Sequence, residues 1–73
     1  MCHIIIGRRI RAFRRLKGYT QQQLADELGM SVAIVGAVER GTRTASQQLL
    51  AQIATVLHIT VEELLPSGDE YER

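Results

Sequence analysis

Eight of the nine lysine and arginine side chains fall within residues 1–43. There Arg8, Arg9, Arg11, Arg14, Arg15, Lys17, Arg40 and Arg43 meet only Asp26, Glu27 and Glu39, a local balance of +5. Residues 44–73 carry Arg73 against Glu62, Glu63, Asp69, Glu70 and Glu72, a balance of −4, so the net charge of +1 conceals a division. Cations grouped in this way suit a polyanion, whose phosphates they neutralise with release of counterions. Covalent chemistry has no comparable footing. Cys2 has no evident base beside it, and His3 and His58 lack cysteine or carboxylate companions at ligand spacing. Glu62 and Glu63 read as first-turn charges at a helix N-terminus, not as an acid–base pair. No glycine-rich phosphate loop is present. The expectation is a binding protein without a cofactor, a metal or a small-molecule effector, and not an enzyme.

The elements that position these charges must be small. A chain of 73 residues has room for one core. With one Phe, two Tyr and no Trp, that core is expected from Leu, Ile, Val and Ala. Domains of this size gain from burying further surface in a dimer. The single cysteine permits no disulfide within the chain, as in a reducing compartment. No signal peptide is expected in Met1–Ile6, and no apolar run reaches the roughly 20 residues of a membrane span. The composition therefore predicts a cytoplasmic protein that does not enter a membrane.

Punctuation divides the chain into five short helices, with no stretch alternating convincingly enough to require a sheet. Residues 1–5 read as an N-terminal extension. The first helix is expected from about Ile6 to Lys17, with Ile6, Ile10, Phe13 and Leu16 forming its apolar stripe, Arg8, Arg11 and Arg15 on another face, and Gly18 stopping it. Thr20 and Gln23 have the spacing of a capping box, with Tyr19 and Leu24 as a hydrophobic staple; Leu24, Ala25 and Leu28 give the buried side of this second helix. Only Gly29-Met30-Ser31 separates it from a third helix capped by Ser31, with Val35 and Val38 inward, running to about Arg40. Two short helices joined so tightly must cross steeply, the helix-turn-helix arrangement. Thr44 with Gln47 reads as a second box opening a fourth helix, through Leu49, Leu50, Ile53, Ala54 and Leu57 to about His58. Thr60 with Glu63, and Ile59 with Leu64, open a fifth through Leu65. Residues 66–73 read as a polar tail.

Ile10-Arg11, Arg14, Gly18-Tyr19-Thr20-Gln21, Leu24-Ala25, Gly29-Met30-Ser31, Val38-Glu39-Arg40-Gly41, Arg43, Leu50, Ile53-Ala54, Leu57 and Leu65 occur in one order. In that order the chain resembles the Cro and phage-repressor (Xre-type) helix-turn-helix family over about residues 6–65. The resemblance implies an all-α fold, a compact five-helix lambda-repressor-like DNA-binding domain. It also implies a sequence-specific transcriptional regulator, expected to be a repressor, binding a partly palindromic operator on double-stranded DNA as a homodimer. Residues 32–40 would then lie in the major groove. By the same resemblance Gln21 and Gln22 stand at a helix N-terminus beside a phosphate, and Ser31 opens the recognition helix. Arg14 and Glu39 match an ion pair that ties the first helix to the end of the recognition helix. Arg43 matches a basic loop residue that clamps phosphate, with Thr44 adding its hydroxyl or amide.

The outward face of the recognition helix is expected to hold Val32, Ala33, Gly36, Ala37 and Arg40. Relatives more commonly carry hydrogen-bonding side chains there. A smooth face of this kind suits contact with thymine methyls, with shape and phosphate spacing aiding discrimination. The alternative is an interaction module, such as an antitoxin or anti-repressor, whose partner is a protein. Ala45 stands where relatives have proline at the first helical position, and Met30 where valine is usual in the turn. Ile4–Ile6, Val61, Leu64 and Leu65 are apolar residues available to the core or to a dimer interface.

Overall fold

The computed structural model describes residues 2–65, and the Pro66–Arg73 tail lies outside them. Five helices follow one another: α1 Cys2–Leu16, α2 Gln21–Leu28, α3 Val32–Arg40, α4 Gln47–Leu57 and α5 Val61–Leu64. None of them is long and apolar enough to cross a membrane. Helices α1 and α2 both pack on α3, α4 lies against α2 and α5, and α5 returns to α1. Ile10, Leu24, Ala25, Val35, Val38, Leu50, Ile53, Ala54, Leu57 and Leu64 form the shared core. Every helix thus contributes to one cluster. Fully burying one Leu or Ile stabilises by about 1.5–3 kcal/mol. Segments as short as α2 and α5 would not hold as isolated helices, so packing secures them.

The first helix starts four residues earlier than its stripe predicted, which makes residues 2–5 part of α1 and not an extension. Packing explains this. Gly7 lies so close to the end of α3 that a Cβ there would run into the carbonyl oxygens of Val38 and Glu39. Ile4, one turn earlier, meets Gly41: a Cβ on that glycine would sit 2.7 Å from Ile4 Cγ1. The N-terminal turn is therefore held against α3 although its β-branched residues are modest helix formers. Leu16 departs from expectation in the other direction and is 75% exposed. Each step of three residues falls about 60° short of a full turn. From Ile10 through Phe13 the stripe has consequently rotated off the core by Leu16.

Helix α2 opens as expected. Thr20 Oγ1 accepts from Gln23 N–H at 3.0 Å, and Gln23 Oε1 accepts from Thr20 N–H at 2.8 Å. At its end Gly29 adopts φ +71°, which lets Met30 N–H reach back to Ala25 O at 3.0 Å. A side chain at Gly29 would strain this left-handed turn, and without the turn α3 could not begin three residues later. Ser31 Oγ then accepts from Ile34 N–H at 3.3 Å.

The fourth helix corrects the sequence reading. Its N-cap is Ser46, whose Oγ accepts from Leu49 N–H at 3.1 Å, and Gln47 is its first residue. Thr44 is an exposed loop residue two positions earlier, and Ala45 precedes the cap instead of opening the helix. Ala45 is half-buried against the core and Leu50 is buried, the two positions of a hydrophobic staple about Ser46. That packing selects Ser46 over Thr44. The third box is present as read: Thr60 and Glu63 bond reciprocally at 2.8 and 3.3 Å and open α5. In α5, Leu64 is fully buried while Leu65 is 39% exposed.

Candidate nucleic-acid interface

The polar centre of the molecule joins α1, α2 and α3. Arg14, 7% exposed, directs Nε to Glu39 Oε2 at 2.6 Å and Nη2 to Glu39 Oε1 at 3.2 Å. Its remaining nitrogen, Nη1, donates to the Tyr19 carbonyl at 2.8 Å, just before α2. Glu39, 5% exposed, accepts a third bond, from Gln21 Nε2 at 3.0 Å. A bidentate guanidinium–carboxylate pair with further partners satisfies nearly every polar atom it buries. The array fixes the end of α3 against the start of α2. Neither the Tyr19 carbonyl nor the Gln21–Glu39 bond was legible in residue spacing, because both join helices that only the fold brings together.

Gln21 is the first residue of α2, as expected, but its amide nitrogen is engaged inside the protein. The first-turn N–H groups of α2 that the Thr20 cap does not engage have no partner within the helix. Gln22, exposed beside it, donates Nε2 to Asp26 Oδ1 at 3.0 Å. Ser31, Val32, Ala33 and Arg40 are exposed along α3, and Ala37 is half-buried. Gly36 is not on the open face. It is buried, with the side-chain ends of Arg40 and Gln21 lying over it. Arg40 stands one turn further along α3, and helical side chains lean toward the N-terminus, so Arg40 folds back across the bare glycine.

Arg43 and Thr44 are exposed in the loop that follows α3. The loop is braced by Thr42, whose N–H and Oγ1 both donate to Ala37 O, at 3.0 and 3.2 Å. On α1, Arg8, Arg11 and Arg15 are exposed, while Arg9 is half-buried with Nη1 on the Glu63 carbonyl at 3.3 Å. The structure therefore sets the start of α2 against the end of α3 through one buried pair, and ties the loop that carries Arg43 to α3 through Thr42. Among the described residues there is no group of three His, Cys, Asp or Glu able to hold a metal.

Against known proteins, the helix-turn-helix family model matches residues 10–64. The chain is 55% identical over 62 residues to YazB of Bacillus subtilis, an HTH-type transcriptional regulator, covering 85% of this chain and 90% of that protein. It is 35% identical over 69 residues to the HTH-type transcriptional regulator SinR of the same bacterium, covering 93% of this chain but 62% of SinR. A crystal structure of SinR in complex with DNA superposes with a TM-score of 0.76 at 33% identity, over 81% of this chain and 95% of that one. The restriction-modification controller protein C.AhdI of Aeromonas hydrophila gives a TM-score of 0.81 at 39% identity, over 85% and 94% of the two chains.

Proposed function

Because the chain belongs to the Cro and phage-repressor-like helix-turn-helix family, we propose that it is a DNA-binding transcriptional regulator that places α3 in the major groove of an operator. The observation that carries this reading is the buried Arg14–Glu39–Gln21 array, which sets the start of α2 and the outer side of α3 at one fixed relation. A rigid two-helix unit of this kind can dock on a duplex with little conformational cost. Gln21, Gln22, Arg43 and Thr44 then face the phosphates. Thr44 does so as a loop residue, through its hydroxyl or backbone amide and without a helix cap behind it. Val32, Ala33 and Ala37 face the base edges, where short apolar side chains allow close approach to thymine methyls.

The protein acts as a homodimer on a partly palindromic site, and its effect is repression. Support for pairing comes from α5 and the start of α1, where Leu65 is exposed and Ile4, Ile5, Ile6 and Val61 are only half-buried. A dimer that places its two recognition helices about 34 Å apart would match one turn of DNA.

A mobility-shift titration of duplex DNA across a range of salt concentrations tests the proposal. Several phosphate contacts predict a steep linear fall of log affinity with log salt. A flat profile, or no complex at low salt, would favour the alternative reading of α3 as a protein-docking surface.

A further inference from the structure

We infer that Arg40 reads a guanine in the major groove, from a seat that Gly36 provides by having no side chain; the inference rests on the groove placement proposed above. Val32, Ala33 and Ala37 offer no hydrogen-bond donor, so on their own they cannot recognise a guanine–cytosine pair by its acceptors. Arg40 is the long donor on this side of α3, and it stands at the helix's last residue. From there an extended arginine would meet phosphate, since base edges lie against the N-terminal half of a recognition helix.

The observed arrangement is different. A Cβ placed on Gly36 would lie 3.1 Å from Arg40 Nη1, 3.7 Å from Gln21 Nε2 and 3.8 Å from Gln21 Oε1. The guanidinium has thus been drawn one turn back along α3, over the glycine and beside the Gln21 carboxamide. Two features keep it available there. Glu39, the nearest carboxylate in sequence, is already occupied by Arg14 and Gln21. Among the described residues, none forms an ion pair or hydrogen bond with the Arg40 guanidinium. Its planar fork is consequently free to donate two parallel bonds to guanine O6 and N7, the pairing that its geometry fits. Gly36 is then a positioning residue: any side chain there occupies the space through which Arg40 folds back.

Site selection from a randomised duplex pool, run with the wild type, Arg40→Ala and Gly36→Ala, tests this. The wild type should select a site containing a guanine whose replacement by adenine lowers affinity about 5- to 140-fold. Arg40→Ala should abolish that penalty. Gly36→Ala retains the arginine but makes its tip shift, so the penalty should shrink. Its melting temperature should hold or rise, because alanine is the better helix former and only a flexible side-chain end must yield. That split separates positioning from a structural role. The inference is overturned if Arg40→Ala weakens all sequences equally and lowers the salt slope by about one with the guanine penalty intact, the signature of a phosphate contact. A wild type that forms no DNA complex would instead remove the proposed function, and this inference with it.

Discussion

The side-chain amide of Gln21, the first residue of α2, donates to the carboxylate of Glu39, the penultimate residue of α3, at 3.0 Å. This bond couples the start of one helix to the end of the next. It also shows why Glu39 is buried: the carboxylate is a junction for α1 through Arg14 and for α2 through Gln21.

Removing Glu39 should therefore be costly. Glu39→Ala leaves the Arg14 guanidinium buried without its counter-charge, a loss of about 3 kcal/mol or more. For a domain with 5–15 kcal/mol in total, thermal melting by circular dichroism should show a large drop. The double variant Arg14→Met, Glu39→Leu should recover much of it, since it leaves no orphaned charge. A fall below about 0.5 kcal/mol in the single variant would mean the pair behaves as an exposed one.

The cap of α4 gives a sharper contrast. Ser46→Ala should lower stability by about 1 kcal/mol, or about 4–8 °C in melting temperature for a domain of this size. Thr44→Ala should leave the melting temperature unchanged. Equal losses would place the helix start where the Thr44–Gln47 spacing put it.

That disagreement shows what the sequence carried. The boxes at Thr20 and Thr60 were legible because each is a local pattern whose two partners lie three residues apart. At α4, two residues able to cap stand close together, and the local pattern favoured Thr44. The deciding contribution, Ala45 against the core, is tertiary. The early start of α1 has the same origin, in the fit of Ile4 and Gly7 against the end of α3. The residue types of the site were readable, but the covering of Gly36 was not. A helical wheel places Gly36 outward, and only the folded-back Arg40 and the neighbouring Gln21 close over it.

His58 ends α4 at φ +59°, the one non-glycine residue among the described positions with positive φ. Its N–H and that of Ile59 close the helix on Thr55 O and Ala54 O, at 3.3 and 2.9 Å. An L side chain in the left-handed region costs about 1–2 kcal/mol. His58→Gly should therefore raise the melting temperature by several degrees, offset in part by the greater freedom of glycine in the unfolded chain. A lower melting temperature would show that the His58 side chain contributes contacts that outweigh its backbone.

Arg43, exposed in the loop after α3, should contribute to affinity and not to sequence preference. Arg43→Ala is expected to weaken binding to all duplexes by a similar factor and to reduce the salt slope by about one. A changed preference at one base pair would instead make Arg43 a reader of bases.

Ala33 tests the account most directly, because it is exposed on the outer side of α3 and outside the core. Ala33→Glu should leave the folding stability within about 0.5 kcal/mol of wild type, as surface changes do. Its affinity for the selected operator, measured at fixed low salt, should fall at least about 100-fold, because a carboxylate would be forced against phosphates and base edges. Operator affinity equal to wild type, in a protein that melts normally, would contradict the placement of α3 in the groove.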